Sequence, residues 1–324
     1  MPAGITETDG MMYVGETPWH RLGVKLDNPA TATEAIEAAG LDWSVVTKPV
    51  YMSNLQSDSG YKEIGGKSVI VRSDTMEPFG IMGNRYQPVQ NVEAFRFFDS
   101  VIAQGEAVYH TAGSLYGGKK IWILAKLPED IEVIPGDVIQ PYILLSNSHD
   151  GSSALRMINT PIRVVCANTL SVALNKSRGF YARHTTNVMA KVSAAREVLG
   201  LAHAYYEMFA RSVDQLVNTR MSEIDTEKYL QNVYRFEADL PYKDQGHMKI
   251  KAYESTLDLL NHPTNLVGGI QGTAWATLNA VTYYVDHEKA VRGSLDRRDD
   301  RQLDRIWFGS GAELRQRAYD LLTV

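Results

Sequence analysis

AVYHTAGSLYGGKKIWILAKL, residues 107–127, is the stretch on which the fold turns. Ala107 to Leu115 and Lys120 to Leu127 are two apolar-rich runs of strand length, separated by Tyr116-Gly117-Gly118-Lys119. Two such runs joined by Gly-Gly predict an antiparallel hairpin. Asp137 to His149 (DVIQPYILLSNSH) follows the turn at Pro135-Gly136 and reads as a third strand. Ser152 to Val164 reads as a fourth, with Pro161 making its end an edge or an exit. The expected unit is a β-meander.

Upstream, residues 1–30 read as an irregular lead-in that Tyr13, Trp19 and Leu22 could pin to the body. Pro29 to Gly40 predicts a short helix with Thr33 as N-cap. Strands are expected at Trp43 to Met52, with a break or edge at Pro49, at Lys67 to Arg72 and at Pro78 to Met82. Val92, Phe95, Phe98 and Ile102 mark an amphipathic helix over Val92 to Ala103. Downstream, the period turns helical from Val165 to Leu174, and GFYARHT (179–185) interrupts it. A long helix is expected from Val188 to about Thr219. One or two more lie in 250–292, with a break at Gly268-Gly269 and Gly272, and a last one spans Glu313 to Leu322. The predicted fold class is α+β, an antiparallel β-meander packed with helices and followed by a mostly helical region. The soft boundary near residue 185 divides an α+β part, 1–185, from a helical part, 186–324, which could share the same core.

The chain has 324 residues, 44% of them hydrophobic, and a formal charge of −5, enough apolar content for a sizeable core. One cysteine, Cys166, excludes an intrachain disulfide and an all-cysteine metal site. The first twenty residues lack a basic region followed by an apolar run, and no stretch reaches transmembrane length. A soluble cytoplasmic protein without a membrane partner is expected. Within this acidic chain, Arg156 to Arg211 carries eight basic residues (Arg156, Arg163, Lys176, Arg178, Arg183, Lys191, Arg196, Arg211) against Glu197 and Glu207. A local positive patch is how an acidic protein holds a polyanion.

Catalytic and cofactor patterns are weak. No histidine pair has the HExxH spacing, and adjacent Asp286, His287 and Glu288 point apart on a helix, so no metal site is read. Tyr116-Gly117-Gly118-Lys119-Lys120 lacks P-loop spacing and reads as a basic hairpin turn, though such a turn could touch a phosphate. Gly268 to Thr273 lacks the strand-first dinucleotide pattern and reads as a turn leading into a helix. Cys166, between Val165 and Ala167, reads as a small buried hydrophobe. The run RGSLDRRDDRQLDR (292–305) reads as a solvated face or an intermolecular contact. The constructive pattern is Lys176, Arg178 and Arg183 alternating with Phe180, Tyr181 and His184. Cations neutralise phosphates and aromatic faces stack bases. The structural alternative is that Phe180 and Tyr181 cap a core and the arginines pair with distant acids.

GETPWHRLG (15–23), FGIMGNRYQPVQN (79–91), GGKKIWILAKL (117–127) and NTPIRVVCANTL (159–170) resemble the phage- and plasmid-like family called domain of unknown function 932. The resemblance runs from about His20 to beyond Tyr284 and implies a phage, prophage or plasmid setting. More distantly, a helix, a meander and a following long helix look like the core of Rad52-type single-strand annealing proteins. That likeness implies an oligomeric ring or filament with DNA in a basic groove, the meander at Ala107 to Val164 and a helix from near Val165. Groove residues would then be Lys119, Lys120, Arg156, Arg163, Lys176, Arg178 and Arg183, with Phe180 and Tyr181 as stacking aromatics.

The leading expectation is therefore a single-stranded DNA-binding or annealing-type protein, homo-oligomeric, needing no cofactor and no nucleotide hydrolysis. Two others stand beside it. One is an enzyme acting on nucleic acid or nucleotide through dispersed residues, which a convergence of acids with His149 or His184 would favour. The other is a structural protein of a mobile element, favoured if the 156–183 arginines are internally paired.

Overall fold

The computed structural model describes residues 10–15, 23–28, 30–56, 59–102, 107–163, 168–170, 179–185, 187, 188, 190, 197–289 and 298–323. In chain order the strands are Met11–Val14 (β1), Val24–Leu26 (β2), Val45–Ser53 (β3), Tyr61–Arg72 (β4), Pro78–Gly83 (β5), Val108–Leu115 (β6), Lys120–Lys126 (β7), Ile131–Ile134 (β8), Asp137–Gln140 (β9), Tyr142–Ser148 (β10), Leu155–Asn159 (β11), Ile162–Arg163 (β12), Asn168–Thr169 (β13) and Phe180–Ala182 (β14). The helices are Ala32–Ala38 (α1), Asn91–Ile102 (α2), Glu197–Asn218 (α3), Glu223–Val233 (α4), His247–Leu259 (α5), Ala274–Tyr283 (α6), Arg298–Phe308 (α7) and Ser310–Thr323 (α8). Tyr284–Glu288 prolongs α6 as one π-helical turn. The fold is α+β: antiparallel sheets packed with helices, then a mostly helical C-terminal region.

The hairpin forms as expected from 107–127. Its turn bends through Tyr116, Gly117 and Gly118, all at positive φ. A Cβ on Gly118 would lie 2.8 Å from the Trp43 ring, so this position tolerates only glycine. Around the hairpin the main sheet has the order β14-β11-β10-β7-β6-β1-β2, antiparallel except for the parallel β1–β2 pair. The lead-in is thus less irregular than expected: Met11–Val14 pairs with β6, and Tyr13 is buried.

The predicted third strand is two strands in two sheets. Pro141 lacks an N–H for the ladder, and the chain turns there from β9, in the four-stranded sheet β13-β12-β9-β8, into β10 of the main sheet. Tyr206 Oη secures the break, accepting from Tyr142 N at 3.0 Å and donating to Tyr142 O at 2.5 Å. Pro161 likewise separates β11 from β12. The helical period expected from Val165 is not realised at Asn168 and Thr169, which pair as a strand with Arg163 and Ile162; 164–167 and 171–178 lie outside the described residues. Within GFYARHT, Phe180–Ala182 forms strand β14, paired with β11. The N-cap of α1 is Thr31 rather than Thr33. Thr31 and Glu34 form a reciprocal capping box, with Glu34 Oε2 accepting from Thr31 N at 2.8 Å.

Both faces of the main sheet are covered, which explains why β7 is buried along nearly its whole length. One face packs Met12, Tyr109, Ile121, Ile123, Ile143, Leu145, Leu155, Met157 and Ala182 into a single apolar cluster that continues into α1, α2 and the C-terminal helices. The other face packs Met11, Tyr13, Leu115, Trp122, Leu124, Tyr142 and Leu144 against Leu303, Ile306 and Trp307 of α7.

A buried polar knot holds the helical region to the sheets. Arg315 and Asp286 are both 0% exposed. Arg315 donates to the carbonyls of Thr169 and Ile306, the latter at 2.8 Å, and Nη2 stands 3.5 Å from Asp286 Oδ1. Asp286 Oδ2 accepts from Thr169 N at 2.6 Å, and Gln302 Nε2 donates to the Asp286 carbonyl at 2.9 Å. Removing one partner of a buried ion pair costs about 3–5 kcal/mol, because the other charge is stranded. Arg315→Leu is therefore expected to lower unfolding free energy by that amount in urea titrations. Asp286→Asn added to it should cost far less than Asp286→Asn alone; additive losses would show that the two side chains do not act as a unit.

Candidate nucleic-acid interface

β14 and β11 carry the basic-aromatic segment at one end of the main sheet. Side chains alternate across a strand, so Phe180 and Tyr181 separate. Phe180 packs on the main core, while Tyr181 lies on the α7 side and is 47% exposed. Tyr181 is opposite Arg156 in the ladder. The Arg156 guanidinium lies 5.9 Å from the Tyr181 ring and 5.0 Å from the Phe308 ring of α7, and its buried Nε has no hydrogen-bond partner. Cation–π contact holds this guanidinium in place without neutralising it. Arg183, two residues along the same face, is exposed.

The other predicted groove residues are dispersed. Lys120, 9% exposed, is engaged internally: Nζ lies 2.5 Å from Asp304 Oδ1 and 5.8 Å from the Tyr116 ring. Lys119 is half-buried in the hairpin turn, and its carbonyl accepts from His149 N at 2.8 Å. Arg163 belongs to β12 in the four-stranded sheet. Lys176 and Arg178 lie outside the described residues. The structure thus gathers Arg156, Tyr181 and Arg183 at the end of the main sheet and leaves Lys119 and Arg163 apart.

Sequence reasoning missed Phe308 and Asp304, because 292–305 reads as a solvated run. Extending that window to Ile306 and Trp307 exposes, with Leu303, an apolar stripe at helical spacing. Asp304 and Phe308, one turn apart, then fall on one flank and meet Lys120 and Arg156. Gly268 and Gly269, at positive φ, are a turn leading into α6, which Thr273 caps by accepting from Ala276 N at 3.2 Å.

On the opposite sheet face, the motif residues of 79–91 converge with His149 and His184. Asn91 Nδ2 donates to the carbonyls of Leu41 and Trp43, which turns Oδ1 toward His149 Nε2 at 2.9 Å. Nε2 therefore carries the proton, and His149 Nδ1 is a buried lone pair without a partner. Likewise His184 Nδ1 faces the Gln87 carbonyl at 3.2 Å, and its Nε2 is buried and unpartnered. Phe79 stacks on His149, Trp43 meets its edge, and Tyr86 stacks on His184. Burial first, and then the charge of His184, lowers His149 to about 3; burial also lowers His184 and takes His110 to about 4. These rings are neutral in the fold and protonate near 6.5 when unfolded. Their contribution to stability is complete above pH 6.5 and is lost as pH falls toward their folded values. Urea midpoints should accordingly be flat above neutrality and fall steadily between about pH 6.5 and 5, before ordinary carboxylates titrate. A flat profile across that window would mean the rings accept protons within the fold.

Comparison with known proteins places the chain. The family described as "Domain of unknown function (DUF932)" matches residues 78–307, from the start of β5 to the penultimate residue of α7. No curated protein matches, and no solved structure matches. The span includes the histidine cluster, the main-sheet strands from β6 onward and nearly all of α7, more than half of the sequence, and the chain belongs to the DUF932 family.

Proposed function

We propose that this protein binds single-stranded nucleic acid at the β14 end of the main sheet, in the service of a phage, prophage or plasmid. The observation that carries the reading is the Arg156 guanidinium held between the Tyr181 and Phe308 rings, with Arg183 beside it and Tyr181 open to solvent. Stacking on one exposed ring tolerates any base, and adjacent cations neutralise phosphates, so the mode is sequence-independent. Tyr181, not Phe180, is the stacking group. Lys120 supports the site by anchoring α7 through Asp304 rather than by meeting a phosphate. Strand annealing by an oligomer is the finer form of the proposal. It draws on the position of β14 and β2 at the two ends of the main sheet, where a neighbouring copy could add a strand.

A second reading, an enzyme on nucleic acid or nucleotide, draws on His149 and His184, each with an imidazole nitrogen that has no partner, although the groups bonded to the two rings are an amide and a carbonyl rather than the acids that reading called for. Both rings are buried, so catalysis there needs the segment over them to open.

Fluorescence anisotropy with labelled single- and double-stranded DNA and RNA across a salt series tests the first reading, with mass followed by light scattering. Binding to single strands should weaken linearly on a log–log salt plot. Tyr181→Ala should cost about 1–3 kcal/mol, and Arg183→Gln should lower the salt slope by about 1. Absence of salt-sensitive binding at low ionic strength, or unchanged binding in both variants, would sink the proposal. Turnover of a nucleic acid or nucleotide that is lost in His149→Gln would shift weight to the second reading.

A further inference from the structure

β3 and β4 extend past the third strand of their sheet. β5 pairs with β4 only from Lys67 to Val71, so beyond it Tyr51–Ser53 and Tyr61–Glu63 form a two-stranded arm. Its ladder pairs Tyr51 with Glu63, Met52 with Lys62 and Ser53 with Tyr61, and Asn54 N donates to the Gly60 carbonyl at 2.9 Å at the far end. A bulge sets the arm off from the base of the sheet. Pro49 pairs with Ser68 and Tyr51 with Glu63, so Val50 alone lies opposite Ile64 to Lys67. Gly66 in this bulge has φ 74°, which turns the chain there.

Among the described residues the arm has neither a covering layer nor a third strand. Residues 51–53 and 61–67 are all exposed, and β3 is an edge of its sheet. Yet the arm is rich in large apolar groups: Tyr51 is 55% exposed, Met52 53%, Leu55 96% and Tyr61 62%. A tyrosine offers about 150–250 Å² of surface, so Tyr51 and Tyr61 together leave roughly 200 Å² open. With Met52 and Leu55 added, this is the size of apolar patch that marks a contact surface. A two-stranded ribbon in water is marginal until something packs on it.

The two faces of the arm differ in charge. Residues opposite in the ladder share a face, and neighbours along a strand alternate. Tyr51, Ser53, Tyr61 and Glu63 therefore lie on one face, and Met52 and Lys62 on the other. One face is aromatic with a carboxylate; the other carries a thioether and an ammonium group. Each complements the other rather than itself, since methionine sulfur packs well on aromatic rings and unlike charges fix the register. Residues 51–63 hold Asp58 and Glu63 against Lys62, a formal charge of −1, which gives a polyanion no attraction.

We infer that the arm is a self-association site, in which the Tyr51, Tyr61 and Glu63 face of one copy seats on the Met52 and Lys62 face of the next. Each copy offers both halves, so the contact is heterologous and repeats head to tail, into a ring or a filament. The apolar groups supply the affinity, while Lys62 and Glu63 set which faces meet. This names the contact for the oligomer in the finer form of the proposed function. It stands on the arm alone, so a failure of nucleic-acid binding at Tyr181 would leave it intact.

The test is light scattering of the full chain, free of nucleic acid, across a concentration series. The wild type should exceed the mass of two chains as concentration rises. Met52→Ser combined with Tyr61→Ser should raise the dissociation constant about tenfold or more, and Tyr181→Ala should change nothing. Lys62→Glu and Glu63→Lys each give both faces one sign of charge, so each should weaken assembly, whereas the two together in one chain should restore it. All four arm positions are exposed, so the variants keep the fold, and restoration by the double charge reversal separates a lost contact from a damaged arm. A wild type of one-chain mass at every concentration, equal assembly in all arm variants, or no recovery in the double reversal would overturn the inference. Unchanged mass with weaker oligonucleotide binding in the arm variants would also overturn it, and would assign the arm to nucleic acid.

Discussion

Arg315 is the side chain on which the arrangement of this protein depends. It joins α8 to the carbonyl of Thr169 in β13, to the carbonyl of Ile306 in α7 and to Asp286 in the π turn, all without contact with water. An arginine withdrawn from solvent in this way needs its charge faced and its donors met; here both Nη atoms are bonded and the charge is faced by Asp286, while Nε stays without a partner. The π turn is part of the solution. One extra residue in the last turn of α6 directs Asp286 inward, while His287 lies tilted against the Tyr283 ring and Glu288 stays exposed. Trp275 makes a second tie between helix and sheet, donating to the buried Asp137 at 3.0 Å.

With the C-terminal helices so anchored, α7 lies over the far face of the main sheet. Its apolar stripe seals Trp122, Leu124 and Leu144. One flank offers Asp304 to Lys120 and Phe308 to Arg156; the other offers Arg305 to the π turn. A single amphipathic helix thus engages Lys120, Arg156 and the π turn at once. Net charge does not convey this. The chain is acidic overall, yet Arg156 and Arg183 gather at one end of the main sheet.

Much of the fold is legible in the sequence because it rests on local rules. The Gly-Gly hairpin, the long helix over 197–218, the strands around Val69 and Gly80 and the C-terminal helix all come from turn chemistry and hydrophobic period. The candidate site is legible only in its residue types. Arg156, Tyr181 and Arg183 stand out, but Phe180 groups with them because alternation shows only once 180–182 is known to be a strand. Lys120 reads as a free cation because its partner, Asp304, is 184 residues away. Thr33 reads as the cap of α1, although the Thr-x-x-Glu spacing from Thr31 to Glu34 is present.

By itself the sequence determined the fold class, the hairpin at its centre, the position of most helices and the presence of a cationic segment in an acidic chain. These depend on period, turn residues and composition, which act over a few neighbours. Only the tertiary structure decided that the strand at 137–149 divides between two sheets, that 168–169 and 180–182 are strands, that α7 covers the second sheet face and that His149 and His184 are neutral. Each of those depends on pairing or burial between residues far apart in the chain, where the free energy of a local segment is overruled by the partner it meets.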